Sequence, residues 1–324
     1  MLWEKLSYKV VKDETMHANL ASEGFVIAGN VGQSALNELR SIYQKNHDFE
    51  VKQGGMFYSV YSLDIAYRKR VFDQLNSVLS PIYNPIFDDF KSVLHSFIVK
   101  LNGEKSEFTL HQDSTGLDEF QYAPVSVWIP LQDTEVENGC LCVVPRSHRI
   151  KVPYRGISFD GPFQHIPETV RQYLQPIPMK AGDILLFDNR ILHYSPANLS
   201  TEKRVVIMSG IFPKEASILS CYQDTSVENA PIEVFEQADD FLLTGENFYH
   251  DCTIRPTTGK LIKKVAPFNR PFSTADFLAF ANEVNLQPLN MQSLQNNDLS
   301  MHIVSEPLEK DQTSWINKLL ALFK

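Results

Sequence analysis

The stretch of this sequence most suited to chemistry is SEFTLHQD, where His111 and Asp113 stand two residues apart. On an extended strand such residues project to the same side, so an imidazole nitrogen and a carboxylate oxygen can aim at one point. That pair suits a divalent first-row metal. A second histidine would complete the two-histidine, one-carboxylate set that fills one face of an octahedron and leaves three positions open, as in non-haem iron(II) sites. His193, in GDILLFDNRILHYS near the end of a strand-like run, is the candidate. Arg204 opens the next apolar run, RVVIMSGIF, and the intervening SPANLSTEK reads as a turn. The two runs are expected to form a hairpin that sends Arg204 into the cavity of His193. A buried guanidinium needs an anionic partner, and its fork matches a carboxylate bidentately. That partner is either a ligand or one of the chain's own Asp or Glu residues. Singly, a His-x-Asp or an isolated histidine is ordinary; the combination is what points to a site.

The elements that must hold these residues are short and rich in Val, Ile and Phe: SFIVKLN, SEFTLHQD, APVSVWIPL, CLCVVP, GDILLFD and RVVIMSGIF, separated by Gly, Pro, Asn and Asp. That texture predicts many short strands forming a sandwich or barrel. Ahead of them, Leu36, Leu39, Ile42 and Tyr43 fall at helical spacing behind Ser34 as N-cap. A second helix is expected from Ile65 to Leu79 and a third over Phe87 to Leu94. Beyond Pro213 the pattern weakens into a loop-like acidic stretch containing Asp224, Glu228, Glu233, Glu236, Asp239 and Asp240. A helix capped by Ser273 and a polar linker from Gln287 to Glu309 should follow, then a last helix over Thr313 to Phe323. The fold class expected is mainly β with flanking helices (α+β). Residues 1–213 would form the catalytic body with N-terminal helical support, and 214–324 an extension packed on it that shapes the substrate entrance or braces an outer sheet.

Composition sets outer limits. Hydrophobic residues at 43% and charged residues at 21% are enough for a buried core and exclude wholesale disorder. With 30 basic against 39 acidic residues the net charge is −9, which argues against a nucleic-acid binder held by phosphate contacts and against an anionic membrane surface. No apolar stretch is long enough to span a bilayer, and the first residues lack a secretory apolar core. The C-terminal SWINKLLALFK reads as a helix docked on the body rather than an anchor. Cys140, Cys142, Cys221 and Cys252 contain no C-x-x-C pair, so a cysteine zinc site is not expected. They read as reduced core residues of a cytoplasmic protein.

Several spaced motifs together resemble the phytanoyl-CoA dioxygenase family of Fe(II)/2-oxoglutarate oxygenases. They are His111-x-Asp113, the strand VSVWIPLQD with Trp128, the segment ENGCLCVVPRSH ending at His148, and GDILLFDNRILHYSPAN with His193, Ser195 and Asn198, followed by Arg204. The resemblance covers about Leu94 to Pro213. It implies a double-stranded β-helix of the cupin type, a jelly roll with the metal inside one end. It makes His111, Asp113 and His193 the iron ligands. Arg204 would pair with the distal carboxylate of 2-oxoglutarate, Ser195 would add a hydroxyl to it, and Trp128 would lie against the co-substrate or the metal. By pattern alone Trp128 is equally a core residue and Ser195 a turn residue. The activity implied is hydroxylation of an unactivated C–H bond of a small-molecule or carrier-tethered substrate, with O2 consumed and 2-oxoglutarate decarboxylated to succinate. Related halogenases carry a small residue at the carboxylate position, so Asp113 favours hydroxylation. Where the family usually has Gly, Arg146 implies a different turn or a charge near the active-site mouth. A non-catalytic jelly-roll binding module is the alternative, and a metal cupin without co-substrate would have no need of Arg204.

Overall fold

The computed structural model describes residues 2, 9–46, 55–163, 166–245, 254–267 and 271–289. Its strands are β1 (Phe25–Asn30), β2 (Met56–Tyr58), β3 (Phe90–Lys100), β4 (Phe108–His111), β5 (Val125–Pro130), β6 (Leu141–Val143), β7 (Gln175–Ile177), β8 (Asp183–Asp188), β9 (His193–Ser195), β10 (Arg204–Pro213), β11 (Ile218–Tyr222), β12 (Ile232–Gln237) and β13 (Lys260–Val265). Its helices are α1 (Glu14–Glu23), α2 (Gln33–Asn46), α3 (Ile65–Tyr83), α4 (Pro167–Arg171), α5 (Phe241–Thr244) and α6 (Thr274–Glu283). The class is α+β, with antiparallel sheets flanked by helices. Strand order is β1-β8-β5-β10-β3-β2 in a large sheet, β4-β9-β6-β7 in a smaller one and β11-β12-β13 in a third. Among the described residues strand pairing does not close these sheets into a barrel.

The two-residue alternation of the strands explains the layering. Val125, Val127 and Ile129 of β5, Leu186 of β8, and Val205 and Ile207 of β10 face one way. They pack under Leu36, Leu39 and Ile42 of α2 and Val71, Leu75 and Leu79 of α3. Trp128, Leu185, Phe187, Ile98 and Val206 face the other way and meet Leu141 and Val143 of β6 and Ile177 of β7. The large and small sheets therefore stack face to face, and their facing side chains form a second core. The outer side of the small sheet presents Cys142 and Tyr194, covered by Phe277, Phe280 and Ala281 of α6. Ala216, Ile218, Phe241 and Leu243 pack with Val93, Leu94 and Phe212 at the end of the large sheet.

Several elements differ from the sequence reading. β9 and β10 belong to different sheets, so His193 and Arg204 are not on a hairpin. The chain between them crosses from the small sheet to the large one. The helix expected over Phe87 to Leu94 is the start of β3, because ten residues of β10 pair along it and override local spacing. The acidic stretch is not all loop: Ile232–Gln237 is β12, with Glu233 paired to Arg255 and, at 2.8 Å, to Lys264. Helix α2 starts at Gln33, one residue before the expected cap. Helix α6 has Ser273 as its cap, in a capping box with Asp276. Most of the Gln287–Glu309 segment and the whole Thr313–Phe323 segment lie outside the described residues, as does Cys252.

One buried polar cluster ties α3 to the large sheet. His95 on β3 lies 2.7 Å from Ser209 Oγ through Nδ1 and 3.2 Å from Asn76 Oδ1 through Nε2, and Ser209 also meets Tyr83 Oη at 2.9 Å. A neutral ring that donates from Nε2 and accepts at Nδ1 satisfies every group. Burial pushes His95 down to about 3. The unfolded chain, with an ordinary histidine near 6.5, then binds the extra proton between those values, so stability is intact above about 6.5 and falls as pH drops toward 3. The slope contributed by this one group approaches about 1.4 kcal/mol per pH unit midway between those values. Urea midpoints measured between pH 7 and 4.5 should fall less steeply for His95→Gln than for wild type. Parallel curves would assign the acid sensitivity elsewhere.

Candidate metal centre and anion site

The metal-type cluster is built by register. β4 and β9 pair antiparallel with His111 directly opposite His193, which puts the two rings side by side with centroids 4.0 Å apart. The Nδ1 atom of His111 lies 2.8 Å from Thr109 O, and that of His193 lies 3.0 Å from Ile191 O. Each carbonyl can only accept, so each Nδ1 carries the proton and each Nε2 presents a lone pair. Both Nε2 atoms converge on Asp113 Oδ1, at 3.6 Å and 3.7 Å. One ligand atom from each of the three residues lies within 4.8 Å of the others. Burial, then the neighbouring His111, lowers His193 to about 4, so it is neutral and ready to ligate. Burial alone would raise the Asp113 carboxyl, but His193, His111 and Arg155 together hold it below its ordinary value. A divalent cation fits this donor set, which offers two imidazole nitrogens and one carboxylate oxygen from a half-open side.

Asp113 is held by partners the sequence did not reveal. Its N–H donates to Asn189 O at 3.0 Å, and its carbonyl accepts from Arg155 Nε at 2.6 Å. Arg155 in turn forms a two-point pair with buried Glu119, at 2.9 Å and 2.6 Å. No linear motif joins these residues, since Arg155 comes from a loop far along the chain. Tyr58 of β2 was also missed. It stacks on Tyr61 at 4.6 Å, and its phenol, raised above its usual range mainly by burial, senses both Asp113 and Arg204.

Ser195, Arg204 and Trp128 form a second cluster two residues along β9 from His193. Arg204 is 2% exposed. Its Nη1 donates to Gly139 O at 2.5 Å and lies 3.5 Å from Ser195 Oγ. Its guanidinium sits 5.4 Å from the Trp128 ring centroid, an attraction between cation and π face. Its Nε is buried without a partner. Burial lowers Arg204 to about 10, which leaves it charged at neutral pH. The structure thus brings all six candidates into two adjacent groups. Arg146, by contrast, points away. It adopts φ +67°, the left-handed turn a glycine would give, and its side chain binds Glu23 at 3.0 Å and Val284 O at 2.7 Å. His148 lies under Gly24 and contacts Ala21 O at 3.1 Å, a packing role.

The family model of phytanoyl-CoA dioxygenase matches residues 48–206, a stretch that includes both clusters. Over that stretch this chain is similar to the phytanoyl-CoA dioxygenase family. Among its relatives, the Arabidopsis thaliana phytanoyl-CoA dioxygenase is 32% identical over 114 residues, 33% of this chain and 39% of that protein. The Danio rerio phytanoyl-CoA dioxygenase domain-containing protein 1 is 27% identical over 227 residues, 56% of this chain and 77% of that protein. The match to the Arabidopsis protein therefore spans about two-fifths of that relative's length. Among solved structures, the epimerase SnoN in complex with Fe3+, alpha ketoglutarate and nogalamycin RO has a TM-score of 0.49 at 19% identity, over 79% of this chain and 95% of that one.

Proposed function

We propose that this chain is an Fe(II)/2-oxoglutarate-dependent dioxygenase. It hydroxylates an unactivated C–H bond of a small-molecule or carrier-tethered substrate. The observation that carries the reading is the pairing of two sites: three converging metal donors, and beside them a buried guanidinium with an unused Nε and no carboxylate among the described residues paired to it. A buried charge without a counterion is costly, so the site is suited to an incoming anion. A 2-oxo diacid satisfies both clusters, with its oxo acid end toward the metal donors and its distal carboxylate toward Arg204.

His111, Asp113 and His193 would hold the iron, which supplies O2 activation and C–H oxidation coupled to decarboxylation of the co-substrate. Arg204 would orient the co-substrate through two-point binding, and Ser195 would donate its hydroxyl to the same carboxylate. Trp128 would wall the co-substrate and keep water from the guanidinium. Arg155 would fix the backbone at Asp113, so that the carboxylate stays aimed at the two imidazoles. The anionic carboxylate of Asp113 occupies the position that chloride would need, which favours hydroxylation over halogenation. We read the two stacked sheets as a double-stranded β-helix, with residues 1–213 as the catalytic body and 214–324 as an extension packed on it. No helix among the described residues is long and apolar enough to cross a membrane, and Cys140, Cys142 and Cys221 are buried and free. Both facts fit our placement of the protein in the cytoplasm, without membrane or nucleic-acid partners. A non-catalytic binding module is disfavoured because all three metal donors are present and converge.

The test is succinate release from 2-oxoglutarate by the anaerobically iron-loaded protein on admission of air. A metabolite screen by mass spectrometry then seeks a product heavier by one oxygen. Iron-dependent succinate formation with such a product is expected. Failure to turn over 2-oxoglutarate under any substrate mixture, or chlorination of the substrate in chloride buffer, would overturn the reading.

A further inference from the structure

His111 and His193 are fixed by the pairing of β4 with β9, whereas Asp113 lies beyond the end of β4 and outside that ladder. What holds it comes from a loop elsewhere in the chain. Arg155 donates from Nε to Asp113 O at 2.6 Å and closes on Glu119 at 2.9 Å and 2.6 Å. The backbones are stitched as well. Thr115 N–H donates to Arg155 O at 3.0 Å, and Arg155 N–H donates to Thr115 Oγ1 at 2.8 Å. Arg155 and Glu119 are both buried. Opening such a pair would leave an uncompensated buried charge, so residues 113–119 move with Arg155 or not at all.

The other side of the 154–159 loop rests on the third sheet, whose strands all lie beyond Pro213. Tyr154 and Phe159 pack against Leu219, Cys221, Ile232 and Val234. Lys263 of β13 donates from Nζ to Tyr154 Oη at 2.7 Å, and the N–H of Gln223, just after β11, donates to Ser158 Oγ at 3.0 Å. Leu219 N–H of β11 donates to Gly116 O at 2.8 Å, so the sheet also grips the Asp113 segment directly. Gly156 is pressed against β11, where a Cβ would lie 2.6 Å from Cys221 O. Tyr154 holds φ +63°, a conformation a non-glycine residue keeps where its surroundings impose it.

We infer that the third sheet is a positioning element of the metal centre. It seats the 154–159 loop and, through Arg155 and Gly116, sets the aim of the Asp113 carboxylate at the two imidazoles. The inference rests on the reading of His111, Asp113 and His193 as the metal ligands. It gives the C-terminal extension a part in the site that needs no contact with substrate.

The experiment titrates full-length protein with manganese(II). Electron paramagnetic resonance reads the free ion for affinity and the bound ion for the symmetry of its ligands. Gly156→Ala is the test, because Gly156 lies outside the left-handed region and the crowding against β11 is what a Cβ adds. It should weaken manganese on the order of tenfold, the low end of the cost of losing an outer partner of a metal ligand, and change the bound-ion spectrum. Gly161→Ala, where a Cβ meets nothing within 4 Å, should change neither. Val78→Ala, a truncation in the core under α3, should lower the urea midpoint and leave manganese affinity as in wild type. A folded Gly156→Ala with wild-type affinity and spectrum would overturn the inference. An equal loss of affinity in Val78→Ala would do the same, since the effect would then follow stability alone. If Gly156→Ala does not fold, Tyr154→Phe combined with Ser158→Ala removes two side-chain links to the sheet and keeps the packing. Weaker manganese binding is expected there too, and wild-type binding would overturn the inference equally. Failure of wild type to bind manganese would instead count against the metal reading itself.

Discussion

His193→Ala should leave a folded protein with no measurable iron-dependent turnover. His193 is the most enclosed of the three donors, 5% exposed, and its Nδ1 is committed to Ile191 O. Removing it leaves His111 and Asp113, whose nearest donor atoms lie 3.6 Å apart. Two ligands hold a labile divalent cation poorly against water. Loss of an outer-shell partner alone typically weakens a metal about 10- to 100-fold, so loss of a ligand should exceed that. The fold should persist, because the ring contributes no structural hydrogen bond beyond that to Ile191 O and packs beside Phe187 at 5.4 Å. Calorimetric titration with iron(II), or with manganese(II) as a redox-inert stand-in, measures the affinity, and circular dichroism checks the fold. A variant that binds metal and turns over like wild type would remove His193 from the ligand set.

That site was legible because two of its donors sit two residues apart in SEFTLHQD. His111 ends β4 and Asp113 lies just beyond it, so the one-sided placement expected from a strand's pleat is reached with the help of the Asn189 and Arg155 contacts to the Asp113 backbone. His193 was legible as a strand-end histidine, but its pairing opposite His111 depends on register between strands distant in sequence. The hairpin expected between His193 and Arg204 was wrong for a related reason. β9 is only three residues long, and nothing in SPANLSTEK distinguishes a turn within a sheet from a passage between two facing sheets. The Phe87–Leu94 segment misled because Phe87, Phe90 and Leu94 fall at helical spacing, whereas the long β10 partner that makes Phe90 onward a strand lies over a hundred residues away. Arg155 and Glu119 left none, because their meaning lies in their contact with each other and with the Asp113 backbone.

Arg204→Ala should separate co-substrate binding from stability. The guanidinium is buried, its Nε has no partner, and no acidic residue of the described chain balances it. In the ligand-free protein its loss removes a buried cation and forfeits the bond to Gly139 O and the contact with Trp128. These effects oppose each other, so the ligand-free Tm should move little. With 2-oxoglutarate the balance changes. A charge-assisted two-point contact of about 3 kcal/mol corresponds to roughly 10²-fold in apparent KM for the co-substrate. The rise in Tm that 2-oxoglutarate gives wild type should shrink accordingly, since ligand stabilisation follows the logarithm of ligand concentration over Kd. Arg204→Lys should recover only part of the affinity, because a point charge on a flexible stem cannot reproduce the planar fork. The primary-substrate KM should change far less than the co-substrate KM. An unchanged dependence on 2-oxoglutarate in Arg204→Ala would assign the guanidinium to the architecture of the two sheets, and the co-substrate carboxylate would then have to be held elsewhere.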